Sequence, residues 1–397
     1  MFPSVIRVIC PALFITSLIS YTNGLDRKIS AQLNPGCQAC STNTTTLVYI
    51  RSEGNSDVIH QIWDFTKHTP TMLLSVGSFN SSLDIHWHGT DPTQFIWSEQ
   101  PRYTFATAID KICEYDDLHD TGYIDPHYPQ KEYSFERTSW VLQESILTDS
   151  EAMIHVSGKI HSYRHRRDGV VNIKLDLLPF RDYGADLPHL IHTANSTLID
   201  ISLVNLTTSK EYNASRYALH FVLASTDDPA DTMHYTMRKS LDDEHTPGVF
   251  EIIEIKTPSL YNDEEGGYLQ FRPVGYTAPE RNVASSTVAH VSQITRTRMP
   301  YDSTLQLFFK SQPILVQDMF VSFGDSGDGF YKQHNYTAWS YTMGYGSPPV
   351  EGFSLFVILI ISIGLGVPVV LALSGVTFVL LRRYRQTNTR TRFTNED

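Results

Sequence analysis

From Phe353 to Leu381 the chain runs for 29 residues without a charge, and Arg382, Arg383, Tyr384 and Arg385 follow at once. A helix needs about 20 apolar residues to cross the hydrocarbon core of a bilayer. The stretch therefore predicts one transmembrane helix over 353–381, in contact with lipid, and a short tail over 382–397. Basic residues after it and Glu351 before it place that tail in the cytosol by the positive-inside rule. Everything upstream is then expected on the far side of the membrane.

The N-terminus agrees with that sidedness. Arg7 supplies a positive start, Val8 to Ser20 form an apolar segment too short to span, and Thr22 and Gly24 suit signal-peptidase cleavage. Residues 1–24 read as a signal peptide, and the chain as a single-pass type I membrane protein. A lipid-anchor signal would end in its hydrophobic tail, whereas 16 residues from Arg382 to Asp397 follow this one. Asn43, Asn80, Asn195, Asn205, Asn213 and Asn335 each begin Asn-X-Ser/Thr, and all six lie between the two apolar segments. They predict a heavily N-glycosylated ectodomain with the sugars at surface positions.

Between the segments 25 basic and 41 acidic residues remain, a formal charge of −16. Such a surface does not select nucleic acid or an anionic membrane face, both of which need basic patches. Cys10 leaves with the signal peptide, and Cys37, Cys40 and Cys113 stay, enough for one internal disulfide and a leftover thiol. Cys37-Gln-Ala-Cys40 has redox-motif spacing, but Asn34-Pro35-Gly36 before it and a Ser/Thr run after it do not make the strand–helix setting that chemistry needs. The expected bridge joins Cys37 or Cys40 to Cys113.

Short alternating runs separated by turn residues dominate the ectodomain: Thr46–Glu53, Val58–Thr66, Thr71–Val76, Ala152–Tyr163, Val170–Leu178, Tyr217–Ala224, Val249–Ile255, Tyr268–Pro273 and Thr304–Phe309. Strands and turns at this spacing predict an all-β, antiparallel, sandwich-like ectodomain. Gly, Pro and charge between Arg181 and His192 suggest two β-rich lobes, 25–180 and 190–347, with one continuous large sandwich as the alternative.

Several strings resemble chemistry without completing it. His86-Trp87-His88-Gly89 matches one multicopper-oxidase element but lacks the further His pairs and the His-Cys-His element that several coppers need. Gly324-Asp325-Ser326-Gly327 matches the nucleophile turn of trypsin-like proteases, without the expected context for a histidine base. Asp242-Asp243-Glu244-His245 and Asp263, Glu264 and Glu265 read as solvated turns, lacking the spaced carboxylates of a calcium loop. Arg164-His165-Arg166-Arg167 reads as a hairpin tip that also fits a basic convertase site. No catalytic residue, cofactor or metal site is predicted.

Three segments resemble the glycosylated lysosomal membrane protein family. They are Lys239–Phe250, with its acidic turn leading into a strand; Phe271-Arg272-Pro273-Val274-Gly275-Tyr276; and Phe330-Tyr331-Lys332-Gln333-His334 through Trp339-Ser340 to Gly346–Gly352. The resemblance implies a non-catalytic lysosomal accessory subunit. Its implied partner is a dipeptide transporter of the major facilitator superfamily, which it shields from lumenal proteases and helps keep in lysosomes. One departure is the tail: Tyr384-Arg385-Gln386-Thr387 ends in Thr where a Tyr-based sorting signal needs a bulky apolar residue. In the membrane helix Ser362 and Gly366 form a small-xxx-small pair suited to close packing, and Pro368 removes a backbone donor. The rival readings are a membrane-anchored lysosomal hydrolase, built on Ser326 with Asp325 or on Asp242, Asp243 and Glu244, and a cell-surface adhesion or receptor module.

Overall fold

The computed structural model describes residues 27–41, 44–125, 127, 129–160, 169–181, 190–240, 250–282, 284–309, 313–349 and 355–392. The expected signal peptide, Asn43, the basic run 164–167 and the acidic run 242–245 lie outside the described residues.

The first strands in chain order are β1 (Lys28–Leu33), β2 (Leu47–Glu53), β3 (Asp57–Asp64), β4 (Thr71–Ser78), β5 (Leu83–His88), β6 (Asp91–Trp97), β7 (Tyr103–Asp116) and β8 (Gln130–Ser134). There follow β9 (Ser139–Leu147), β10 (Ala152–Lys159), β11 (Val170–Leu177), β12 (Ser196–Val204), β13 (Ser215–Ser225), β14 (His234–Ser240) and β15 (Phe250–Lys256). After the helical turn α1 (Pro258–Tyr261) come β16 (Gly267–Tyr276), β17 (Ser286–Thr287), β18 (Ala289–Val291) and β19 (Thr295–Arg296). The helical turns α2 (Leu305–Phe308) and α3 (Tyr331–His334) flank β20 (Leu315–Phe323), and β21 (Tyr336–Tyr345) precedes the long helix α4 (Leu355–Arg392).

Among the described residues all pairings are antiparallel, and they build two large sheets and the separate β5–β6 hairpin. One runs β1-β2-β3-β4-β7-β13-β20-β18, with β8 on β7 and β19 on β20; the other runs β14-β15-β16-β21-β12-β11-β10-β9, with β17 on β16. The main apolar cluster takes Trp63, Phe105, Leu219 and Phe221 from the first sheet and Ile173, Ile201, Phe271 and Tyr341 from the second. Phe221 meets Tyr341 edge-on at 5.5 Å, and Trp339 donates its indole N–H across the gap to the Val321 carbonyl at 3.1 Å. This is an antiparallel sandwich closed by aromatic contacts.

The first sheet is covered on its outer face as well. The β5–β6 hairpin and α2 bury Ile85, Ala106, Val222, Leu305 and Phe309 there, and loop residue Ile124 covers Cys113, Tyr115 and Ala218. Burial on both faces explains why all eleven residues of β13 are buried, the polar Arg216 and His220 being paired with carboxylates.

Three expectations are corrected. Both sheets combine strands from before and after the 181–192 segment, and the strands form one compact unit, so two sequential lobes do not exist; the single-sandwich alternative holds. Thr304–Phe309 is no strand: a helical turn puts Leu305 and Phe309, four residues apart, on the same apolar cluster. Third, Cys37 bonds to Cys40, with Cα atoms 5.6 Å apart, while Cys113 is a buried free thiol inside β7. Cys113 packs with Tyr115, Ile124 and Ala218.

Candidate functional site

Strand ends place the described sequons. Asn80 sits in the β4–β5 turn, Asn205 just past β12, Asn213 just before β13 and Asn335 between α3 and β21; all four are exposed. Asn205 and Asn335 take left-handed backbone angles, φ 53° and 51°, which asparagine adopts more readily than most residues. The fold brings these two together, with the Asn205 amide donating to the Asn335 carbonyl at 2.8 Å. Asn195 differs: it is half-buried before β12, and its side-chain oxygen accepts a hydrogen bond from Arg27 Nε at 2.5 Å.

One arrangement has no counterpart among the sequence motifs. His60 Nε2 lies 2.8 Å from Ser81 Oγ, and His60 Nδ1 lies 2.7 Å from the Tyr49 hydroxyl. A Ser–His pair is the first thing a hydrolytic site requires. The hydrogen bonds, however, run the wrong way. Ser81 Oγ donates to the Ser78 carbonyl at 2.7 Å, so it can only accept from His60 Nε2, and Nδ1 is left to accept the Tyr49 proton. His60 is left as the Nε2–H tautomer, donating to Ser81 instead of taking its proton. Burial, with Arg51 nearby, lowers the His60 pKa to about 4, and Ser81 is 1% exposed. The trio is a pin under the Asn80 turn, with no path for a substrate.

The motif strings resolve similarly. Ser326 is exposed in the turn after β20, but among the described residues no histidine is hydrogen-bonded to its hydroxyl. His290 and His334 instead donate to the carbonyls of Gly324 and Asp328, at 2.9 and 3.1 Å. Buried Arg216 organises this turn, reaching Asp117 and Asp328 at 2.8 Å and Asp120 at 2.5 Å. Gly122 packs so closely under it that a Cβ there would lie 2.1 Å from the Gly324 oxygen. Exposed His86 pairs with Asp84 at 3.1 Å on the β5–β6 hairpin, and His88 is exposed beside it. Glu265 bonds Arg102 at 3.0 Å and the Tyr345 hydroxyl at 2.6 Å.

The C-terminal unit contains α4. Its segment Ile358–Arg385 is long and apolar enough to cross a membrane, and its apolar side chains are exposed. The helix continues through the basic residues to Arg392, so most of the expected tail extends it. Ser362 and Gly366 lie one turn apart, and Pro368 is inside the helix. A Cβ added at Gly366 would meet nothing within 4 Å.

Comparison with known proteins adds to this geometry. The model of the family described as glycosylated lysosomal membrane protein matches residues 46–386. The chain is 27% identical to glycosylated lysosomal membrane protein B of Xenopus laevis, over 96% of this chain and 96% of that one. It is 27% identical to the Danio rerio protein of the family name, over 90% and 89% of the two chains. With the Mus musculus protein it shares 26% identity over 86% of each.

Proposed function

The chain belongs to the glycosylated lysosomal membrane protein family, and we propose that it is a non-catalytic subunit that binds and protects a lysosomal membrane transporter. The ectodomain faces the lumen, with oligosaccharides on the sequon asparagines. The partner is a dipeptide transporter of the major facilitator superfamily, held by ectodomain contacts with its lumenal loops and by packing against α4. Binding lowers the fraction of transporter in cleavable, open states, so protection follows by mass action. The glycans add to it by occluding backbone that a protease must bind in extended form.

The observation that carries this reading is the placement of the described sequons. Asn80, Asn205, Asn213 and Asn335 are exposed at turns around a closed sandwich, whereas the Ser81–His60 pair is sealed beneath one of those turns. That arrangement suits a sugar-bearing shield better than a hydrolase. The test is a mild-detergent pull-down of the tagged full-length protein from lysosome-enriched membranes, read by mass spectrometry. A major-facilitator transporter recovered in near-equal amount supports the proposal. Recovery of the protein alone overturns the obligate-subunit reading.

A further inference from the structure

At one end of the sandwich, where β1, the β2–β3 turn and the β4–β5 turn meet the end of β11, lies a cleft of about 340 Å³. Arg27, Lys28, Glu53, Asn55, Phe79 and Phe180 line it. Both of its aromatic side chains are open to solvent: Phe79 is 47% exposed and Phe180 is 52% exposed. A polar cleft lined by two aromatic side chains is matched to a ligand with one apolar face and many hydroxyls. Sugar rings have that character, since their axial C–H groups pack on the negative face of an aromatic ring while the hydroxyls seek polar partners. Among the lining residues Lys28 offers donors, and Glu53, which pairs with Arg51, offers an acceptor.

The chain also supplies an attachment point for such a sugar, the exposed sequon asparagine Asn80. Phe79 directly precedes Asn80, so the attachment point is one residue, about 3.8 Å of chain, from the aromatic wall. The attachment point is held firmly. The Ser81 amide closes the turn on the Ser78 carbonyl at 3.0 Å, buried His60 holds Ser81 Oγ, and Arg51 donates to the Phe79 carbonyl at 2.7 Å. Across the cleft Arg27 is fixed by Asp57, at 2.8 Å, and by the Ser52 carbonyl.

We infer that the cleft between Phe79 and Phe180 is a docking site for the inner N-acetylglucosamine residues of the oligosaccharide carried by Asn80. The glycan is thereby folded down as part of the ectodomain surface, covering two exposed phenylalanines and the β2–β3 turn. This rests on the glycosylation part of the proposed function and specifies where one glycan lies. Arg27 also holds Asn195, a second sequon asparagine. The Asn80 glycan is the occupant because its attachment point adjoins the aromatic wall, whereas the Asn195 side chain is drawn into the arginine network.

The experiment uses full-length glycosylated protein in mild detergent, comparing wild type, Phe180→Ala, Phe180→Trp, Asn80→Gln and the Phe180→Ala/Asn80→Gln double variant. Phe180 is far from Asn80 in sequence, so changing it leaves the acceptor motif intact. Occupancy of each sequon is read by glycopeptide mass spectrometry, as is the rate at which peptide-N-glycosidase releases each glycan from the native protein. Phe180→Ala is expected to speed release at Asn80 at least fivefold, the equivalent of about 1 kcal/mol, and to leave Asn213 unchanged. Phe180→Trp, which keeps an aromatic face, is expected to retain slow release. The double variant is expected to melt no lower than the less stable single variant, since both remove one contact. Unchanged release at Asn80 with additive melting losses overturns the inference. Faster release at Asn195 alone also overturns it, in favour of the other glycan. An unoccupied Asn80 beside occupied sequons elsewhere overturns the docking site and leaves the shield reading standing.

Discussion

Asn205 and Asn335, 130 positions apart in sequence, are joined through their backbones: the Asn205 amide donates to the Asn335 carbonyl at 2.8 Å. Both are sequon asparagines, both are exposed, and both hold left-handed backbone angles. Two oligosaccharides attached there would rise from one spot at the end of the β12–β21 pair. The asparagine at 335 also ends α3, so its backbone role is separable from its role as acceptor. Asn335→Gly removes the acceptor and keeps a residue that tolerates φ 51°. Asn335→Gln removes the same acceptor and adds strain of about 1 kcal/mol. Both variants are expected to lose one glycan on a gel, with Asn335→Gln melting below Asn335→Gly. Equal melting points would show that the left-handed angle carries no cost there.

Acid conditions act on His60 with a definite sign. Burial first, and Arg51 second, lower its pKa from 6.5 to about 4, so the folded state binds the proton less readily than the unfolded chain. Its contribution to stability is complete above about pH 6.5, shrinks as pH falls, and is gone below about pH 4. Between pH 6.5 and 5 the loss amounts to roughly 2 kcal/mol. His60→Gln, which cannot titrate, is expected to flatten the fall of melting temperature over that interval relative to wild type. Parallel pH profiles for the two proteins would refute the assignment.

Asp64 acts in the opposite direction. It is 1% exposed, its Oδ1 accepts from the Thr66 amide at 2.8 Å, and burial raises its pKa despite that hydrogen bond. The folded state therefore holds this proton more readily than the unfolded chain. The cost of burying the carboxylate is present at neutral pH and is relieved as pH falls through the raised pKa. Asp64→Asn keeps the acceptor and removes the charge. It is expected to raise the melting temperature at pH 7, with the gain shrinking as the solution is acidified. A gain independent of pH would place its origin elsewhere.

Much of the architecture is legible in the sequence because it is periodic. Alternation over two residues marked β2, β3, β4, β10 and β11, and an uncharged run marked the membrane helix. Non-local facts were not legible. Sheet partnering joins β7 to β13 and β12 to β21 across long stretches of chain, so a Gly/Pro-rich connection inside one sandwich looked like a border between lobes. The Leu305–Phe309 segment alternates like a strand and folds as a turn of helix, because too few residues are present to separate the two periods. The His60–Ser81 pairing spans 21 residues and follows no motif. Its one visible sign was a histidine within the apolar run of β3.

The cysteines give a labelling test. Cys37 and Cys40 are bonded, and the Cys113 thiol is pushed up to about 12 by burial, with Glu132 adding to the effect. Thiolate is the reactive species, so Cys113 is inert while the fold holds. Native protein treated with iodoacetamide is expected to show no modified cysteine by mass spectrometry. After denaturation without reductant, Cys113 alone is labelled, and after reduction all three are. Labelling of Cys37 or Cys40 in unreduced protein would rule out their bridge.

The membrane helix permits a test with an internal control. Gly366 lies one turn from Ser362, and a side chain at either Gly366 or Gly375 would meet nothing within the isolated helix. At 100° per residue the nine-residue step from Gly366 to Gly375 sets them on opposite faces. Gly366→Leu therefore fills the small-residue face, and Gly375→Leu adds the same bulk behind it. If α4 packs against the transporter through Ser362 and Gly366, Gly366→Leu reduces co-purification of the transporter several-fold while Gly375→Leu leaves it intact. Ectodomain melting is the same in both, since no ectodomain residue changes. Equal recovery with the two variants would shift the contact from the bilayer to the lumenal sandwich, and equal losses would indicate a fault in the helix itself rather than a lost interface.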